Sequence, residues 1–408
     1  MENGEIDALQ KLTVLNSSTS LTAFMRETIK EKEDDESFYV LDIQTIIQQY
    51  YCWKKHLPTI KPYYAVKCND TRLLMKVLQM LGAGFDCASR EEIKKALDVG
   101  ATPDDIIYAH PSKVISHLKY AKDHDVSLMT FDSISELYKV KMYFPQARLM
   151  VRIRVEAEKC LIQLGDKFGC EPDKAVELMK CADGLNLKII GISFHVGTGC
   201  HEAEAYPRAI HIAAAIIQKA RQNGIAIQYL DIGGGFPGDS LEMFEKIARR
   251  INDALETENI LLNDITVIAE PGRFFVSKAF TLATTVTSVR ECESYNIYYI
   301  NNGIYGSFNS VHTEHATVDP MPLNNKSKTQ KKCAIWGQTE EKYDKIINEC
   351  LLPKMDVGDW IYFKNMGAYS TVLSVKFYGF AVPEIYPVIK EHEWIQLQMM
   401  ISSKNKKP

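Results

Sequence analysis

Lys67 stands at the exit of the run Lys61-Pro-Tyr-Tyr-Ala-Val-Lys-Cys-Asn69, an apolar and aromatic stretch of strand character that breaks at Cys68-Asn69-Asp70. A lysine carried there by a buried strand can be a desolvated amine of lowered pKa, able to form a Schiff base with a carbonyl group. Taken alone it reads first as a surface lysine at a strand–loop junction. Other polar residues end similar runs: Asp86, Arg152 and Arg154, His195, and Glu270. The run Gly233-Gly-Gly-Phe-Pro-Gly238 also follows a strand, so its amides can point at a phosphate without interference from Cβ atoms. In Glu270-Pro-Gly-Arg273, Gly272 permits close approach and Arg273 offers a charged fork. Each glycine element alone describes a plain turn. Two of them on one rim with a strand-end lysine point to a phosphorylated carbonyl cofactor, and pyridoxal 5′-phosphate fits best.

The elements that must position these residues have a regular order. Strand-like runs start near 63, 85, 106, 127, 148, 189, 227 and 265. Segments with helical spacing lie between them, such as Glu91 to Val99 and Ala209 to Arg221. Eight strand–helix units predict an α/β fold, a (β/α)8 TIM barrel over 37–280, in which chemistry collects at the C-terminal ends of the strands. Phe38 to Asp42 reads as a strand and Ile43 to His56 as an amphipathic helix. After about residue 280 the pattern becomes strand-rich without helices, at Thr281–Val289, Asn296–Ile300, Trp360–Phe363 and Phe377–Val382. This predicts a C-terminal β-rich domain over 281–400, joined by an N-terminal strand within about 10–42. The loop Pro322 to Lys332 is expected to be mobile, and the tail Ser402 to Pro408 to fray.

The chain has 408 residues, 46% hydrophobic and 25% charged, with a net charge of −4. That composition suits a globular protein with ample core and carries no general attraction to nucleic acid or anionic lipid. The ten cysteines are scattered without a CxxC pair or zinc-like spacing, so no metal site is expected and the thiols read as reduced. The N-terminus lacks the pattern of a secretory signal, and no apolar run approaches the roughly 20 residues of a membrane span. A cytoplasmic protein acting on small molecules is the expectation.

The stretches PYYAVKCND, GFDCASREE, SFHVGTGC, LDIGGGFPG, AEPGRFF, NNGIYGSFN, VGDW and NMGAY, in this order, closely resemble eukaryotic ornithine decarboxylase, a group IV pyridoxal-phosphate decarboxylase. The resemblance runs from about residue 36 to 395 and implies an alanine-racemase-like fold, the barrel plus a β-domain. It implies the following roles. Lys67 is the Schiff-base lysine, Glu270 the acid that pairs with the pyridine nitrogen, and His195 the imidazole stacked on the ring. Asp86 and Arg152 lie near the Schiff base, and Thr198 takes a small hydroxyl position. Gly235, Gly272, Arg273 and Tyr369 form the phosphate cradle. Two subunits pair head to tail and share their active sites, with Lys167 and Asp344 matching a pair across the interface. The segment 111–139, with Lys113, Lys119 and Lys139, resembles the antizyme-binding surface, or else is a solvated helix face.

The chain departs from the family at the substrate end. Trp336-Gly-Gln-Thr-Glu-Glu-Lys342 replaces the pattern that carries the family's proton-delivering cysteine, and Glu340 stands in that cysteine's place. The next acid, which meets the distal amine of the substrate, is Glu341, and its companion is Glu314, preceded by Thr313. Phe377 falls at the substrate end, beside the divergent Tyr378. The implied activity is decarboxylation of L-ornithine to putrescine, with an altered substrate or product open because of Glu314, Glu340 and Glu341. The alternatives are a non-catalytic regulator of the antizyme-inhibitor type and a decarboxylase of another basic amino acid. Paired acids fit a cationic substrate end better than the zwitterionic end of diaminopimelate.

Overall fold

The computed structural model describes residues 12–324 and 329–404. They form two compact units: Ile47–Phe275, and the residues up to Ile46 together with those from Val276 onward.

In the first unit eight parallel strands close into a barrel. In chain order they are Lys61–Ala65, Gly84–Cys87, Ile106–Tyr108, Leu128–Phe131, Arg148–Ile153, Lys188–Phe194, Tyr229–Asp231 and Thr266–Ala269, the eight runs expected from the sequence. Their residues are apolar toward both faces because the barrel interior and the surrounding helices both exclude water. Tyr63, Ile107, Leu128, Met150, Ile190 and Ile268 pack into one interior cluster. The last strand pairs with the first, Ile268 opposite Lys61 and Ala269 opposite Pro62. The expected helices occur at Arg90–Asp98 and Ala205–Gln222. Serines start three of the outer helices by accepting an amide hydrogen from the first turn: Ser89 from Glu92 at 3.3 Å, Ser133 from Glu136 at 3.4 Å and Ser240 from Met243 at 3.2 Å. Trp53 anchors an aromatic box, with ring centroids 4.8 Å from Phe236, 5.6 Å from Phe274 and 5.8 Å from Phe244. Its indole donates to the Ile60 carbonyl at 3.0 Å.

In the second unit a mixed sheet runs in the order Thr13–Leu15, Glu384–Lys390, Phe38–Asp42, Phe280–Glu291, Asn296–Ile300, Gln330–Trp336, Lys345–Pro353. Trp360–Phe363 also pairs with Phe280–Glu291, and Pro320–Pro322 pairs with Trp360–Phe363. Leu15, Met25, Phe38, Val40, Ala283, Leu323, Trp360 and Val388 form its core.

This unit corrects several expectations. Phe377–Val382 is not a strand. Tyr378 and Gly379 take φ of +54° and +80°, left-handed values that a pleated strand cannot hold, and the strand follows at Glu384–Lys390. Helices do occur here, at Asn309–Thr313 and Glu391–Lys404, so the expected frayed tail is helical through Lys404, while 405–408 lie outside the described residues. The expected mobile loop is already strand from Gln330, and its positions 325–328 also lie outside them. The N-terminal contribution is two strands with the helix Leu21–Glu31 between them, and positions 10 and 11 are not among the described residues. No helix of the described residues is long and apolar enough to cross a membrane.

Lys113 requires a further correction. It belongs to the segment read as a lysine-bearing surface, yet its side chain is fully buried. Its amine donates to the carbonyls of Thr130 at 2.7 Å and His110 at 3.2 Å and pairs with Glu136 at 2.8 Å. Lys139 reaches the other Glu136 oxygen at 2.5 Å, and only Lys119 of the three stays exposed. Burial pushes the Lys113 ammonium below its ordinary pKa, against the opposing pull of Glu136. Removing one charge from such a pair strands the other. Glu136→Gln is therefore expected to cost about 3–5 kcal/mol in denaturant unfolding, and adding Lys113→Met is expected to recover much of it.

Candidate active site

The first barrel strand ends in a single tight turn, Val66–Cys68, that carries Lys67. The next strand places Asp86 opposite Ala65. From there the fully buried Asp86 carboxylate receives the Lys67 amine, whose side chain remains 39% exposed. An ion pair with one member buried and one open keeps the amine near the barrel mouth while leaving it accessible. The other Asp86 oxygen, Oδ1, is buried without a hydrogen-bond partner among the described residues.

Glu270 follows the last strand and is buried, with Oε1 also lacking a partner. Burial raises its carboxyl well above the usual range, and the charges of Asp231 and Asp86 add to the effect. Asp231 ends the adjacent strand and is fully buried. Its Oδ1 accepts from the Gly233 amide and its Oδ2 from the Ser193 hydroxyl, each at 2.9 Å. Burial pushes Asp231 up to about 6, against hydrogen bonds from Gly233, Glu270 and Ser193. Two such carboxyls cannot both ionise cheaply, so the Asp231–Glu270 pair holds a shared proton. Asp231 and Ser193 escaped the sequence reading. The available signal was a carboxylate inside the apolar run Tyr229-Leu-Asp-Ile232, directly before the glycines.

His195 extends from the end of strand Lys188–Phe194. Its Nδ1 accepts from the Gly197 amide at 3.0 Å, which leaves the ring hydrogen on Nε2. Burial, followed by the nearby Arg152 and Lys67 cations, drives its pKa well down, so the ring is neutral. The glycine run is what allows it this position. A Cβ on Gly234 would meet His195 Nε2 at 2.8 Å and the Glu270 carbonyl at 2.7 Å, and one on Gly233 would lie 2.1 Å from the Phe194 carbonyl. At Gly235, φ of +101° and a carbonyl 2.5 Å from a virtual Cβ make the same demand. Gly272 lies against Cys68 in this way, and Arg273 donates from Nε to Thr198 Oγ1 at 3.0 Å. Arg152 is nearly buried and sits 5.5 Å from the Phe168 ring. Arg154 is instead engaged with Glu156 and Glu171, at 3.1 and 3.2 Å. The barrel mouth therefore gathers Lys67, Asp86, Arg152, His195, Glu270 and the glycine turns, with Thr198 and Arg273 alongside.

The remaining candidates belong to the sheet unit. Glu314 is buried, Glu341 half-buried and Glu340 exposed. Phe377 stacks on Tyr305 with centroids 4.3 Å apart, and both line a recess with Gln338 and Thr339. Tyr369 holds φ of +53°, a strained value for a bulky residue. Neighbouring bonds from Met366 to the Phe280 carbonyl at 3.0 Å and from Gly367 to that of Ser277 at 3.2 Å impose it. Lys167 is exposed, but Asp344 turns inward and is fully buried. Its carboxylate accepts from the amides of Ile304 at 2.9 Å and Thr339 at 3.0 Å and from the Thr339 hydroxyl at 2.6 Å. Asp344 thus organises its own loop.

Residues 43–277 match the family model described as pyridoxal-dependent decarboxylase, pyridoxal binding domain. The chain is 38% identical to a probable ornithine decarboxylase of Dictyostelium discoideum, over 92% of this chain and 83% of that protein. It is 40% identical to antizyme inhibitor 2 of Xenopus laevis, over 91% of this chain and 85% of that one. Among solved structures, the arginine decarboxylase of Paramecium bursaria Chlorella virus superposes with a TM-score of 0.87 at 35% identity, covering 90% of this chain and 100% of that one. The closed parallel barrel with its separate mixed sheet agrees with the alanine-racemase-like fold that the resemblance implied. With the motifs, the barrel mouth and these relatives in agreement, the chain belongs to the eukaryotic ornithine decarboxylase-like family of pyridoxal-dependent decarboxylases.

Proposed function

We propose that this protein is a carboxy-lyase that binds pyridoxal 5′-phosphate at the barrel mouth and converts L-ornithine to putrescine. The observation that carries the proposal is the buried Glu270 carboxyl, whose Oε1 has no partner within the described residues although burial makes that costly. A protonated ring nitrogen is the partner it lacks. The glycine positions fit as well, since Cβ atoms at Gly234 and Gly272 would fill the space beside His195 and Cys68, and one at Gly235 the space beside the Gly197 carbonyl. When bound, the coenzyme supplies a carbonyl for an amine and an electron sink for the pair left behind as carbon dioxide departs.

The side chains divide the remaining work. Lys67 offers the amine, and Asp86 holds it at the mouth. Glu270 would pair with the ring nitrogen when the coenzyme is bound, with Asp231, steadied by Ser193 and Gly233, as its buried neighbour. Neutral His195 would face the ring of the bound coenzyme and add no competing cation. Arg273, Thr198, Gly235 and Gly272 would hold the phosphate, and Arg152 would add positive charge. Glu314 and Glu341 attract the cationic end of the substrate, and Glu340 takes the proton-delivery position. We also propose a cytoplasmic homodimer, and antizyme binding by the 111–139 face through Lys119, since Lys113 is buried.

The purified protein with coenzyme should show a visible absorbance band that Lys67→Ala abolishes together with activity. Carbon dioxide and putrescine are expected from ornithine, at rates above those with arginine or lysine. Release from none of the three would overturn the enzymatic reading, and antizyme binding without a visible band would favour the regulator.

Asp231→Asn, which keeps a donor beside Glu270, should bind coenzyme nearly as wild type does. Asp231→Ala should bind on the order of tenfold more weakly, the cost of a lost partner for a buried acceptor. In the coenzyme-free protein the Asp231 pKa is raised, so its contribution to stability is complete below the ordinary carboxylate range and fades as pH rises through about 6. Thermal midpoints of Asp231→Asn against pH should lack that decline.

A further inference from the structure

Cys333 on strand Gln330–Trp336 and Cys350 on strand Lys345–Pro353 stand directly opposite each other in an antiparallel ladder. Their sulfurs are 3.3 Å apart. Opposed residues of such a ladder have Cα atoms about 4.5–5.5 Å apart, inside the roughly 4.4–6.8 Å range that a disulfide spans. The ladder slips register only beyond Cys333, toward Ile335. Cys333 is buried, while Cys350 is partly exposed on the edge strand of the sheet, where a small oxidant can reach it. The two sulfurs share a hydrogen bond, which lowers the Cys350 pKa and raises that of Cys333. Cys350 is therefore the better nucleophile of the two. The Cys333 sulfur also reaches the Cys350 carbonyl at 3.6 Å, but in the other opposed pair, Cys160 and Cys200, the sulfurs bond only to the carbonyls of Ala157 and Glu202 and not to each other among the described residues.

We propose that Cys333 and Cys350 form a redox modification site, which a hydroperoxide converts to a cross-strand disulfide. The Cys350 thiolate attacks the peroxide, taking one oxygen as a sulfenic acid and releasing water or an alcohol. The Cys333 sulfur then attacks the Cys350 sulfur, the S–S bond forms, and the sulfenic oxygen leaves as water. Two thiols are oxidised by two electrons in total, and one peroxide is reduced. The disulfide closes a covalent ring around the 337–344 turn, which carries Glu340, Glu341 and Asp344. Oxidation would thus tether the segment with the divergent acids, whatever amino acid the protein acts on.

The test uses the full chain with its coenzyme, reduced, freed of reductant and titrated with hydrogen peroxide. Peptide mapping without reduction should find a Cys333–Cys350 linkage lighter by two hydrogens and reversed by dithiothreitol. The thiol titre after denaturation should fall from ten to eight. Cys333→Ser and Cys350→Ser should each abolish that linkage. A linkage joining Cys160 to Cys200 in its place, or oxidation of other thiols with Cys333 and Cys350 still unlinked, overturns the proposal, and mapping the unsubstituted protein decides this without the variants.

Discussion

The concentration of buried acid at the barrel mouth is the constraint to which the rest of the site responds. Asp86, Asp231 and Glu270 are all buried there, with Lys67 and Arg152 as the cations that reach them. Three carboxylates against two cations in a water-poor environment leave negative charge in excess, and the least costly answer within the chain is to keep a proton on the Asp231–Glu270 pair. A ligand that brings a positive charge to Glu270 relieves the same imbalance. The site is in this sense incomplete electrostatically before it is incomplete chemically. The barrel seam makes the arrangement possible. Pairing of Thr266–Ala269 with Lys61–Ala65 sets residues from opposite ends of the barrel sequence side by side, and the Ala65 amide bonds to the Pro271 carbonyl at 3.2 Å.

Close approach is the second requirement. His195, Glu270 and the Gly233–Gly235 turn occupy a volume into which no additional methyl group fits, so the glycines act as spacing elements and not only as flexible joints. The same economy recurs in the sheet unit. Gly303 and Gly337 would each drive a Cβ to within 2.3 Å or less of the Asp344 carboxylate. A buried acid there is surrounded by backbone amides, and the loop that bears Glu340 and Glu341 folds around it.

The barrel was legible from the sequence because parallel strands buried on both faces leave continuous apolar runs, and a polar residue at the end of each run stands out against them. Lys67, Asp86, His195 and Glu270 were readable for this reason. Asp231 was not, because it lies within an apolar run and its meaning depends on Ser193 from the neighbouring strand and on Glu270 beyond it. Lys113 was misread for a related cause. Its counter-charge Glu136 comes from the later helix Ile134–Tyr143, and two of its acceptors are backbone carbonyls, which no pattern of side chains reveals. The sheet unit was the least legible part. Its pairings join residues far apart in the chain, and the left-handed turn at Tyr378 ends what alternation alone presents as a strand.

The sheet unit also has a consequence for the order in which the molecule is made. Its strand Phe38–Asp42 pairs with Phe280–Glu291 and Glu384–Lys390. During synthesis that strand emerges from the ribosome before any barrel strand, and it must wait for the whole barrel sequence before its first neighbour, Phe280–Glu291, exists, and longer still for Glu384–Lys390. The barrel can assemble as its units appear, whereas Phe38, Tyr39 and Val40 have no strand partner until the barrel sequence has been made, and gain their second only near the end of translation. Of the two units, the sheet is the one whose nascent form most needs shielding by a chaperone.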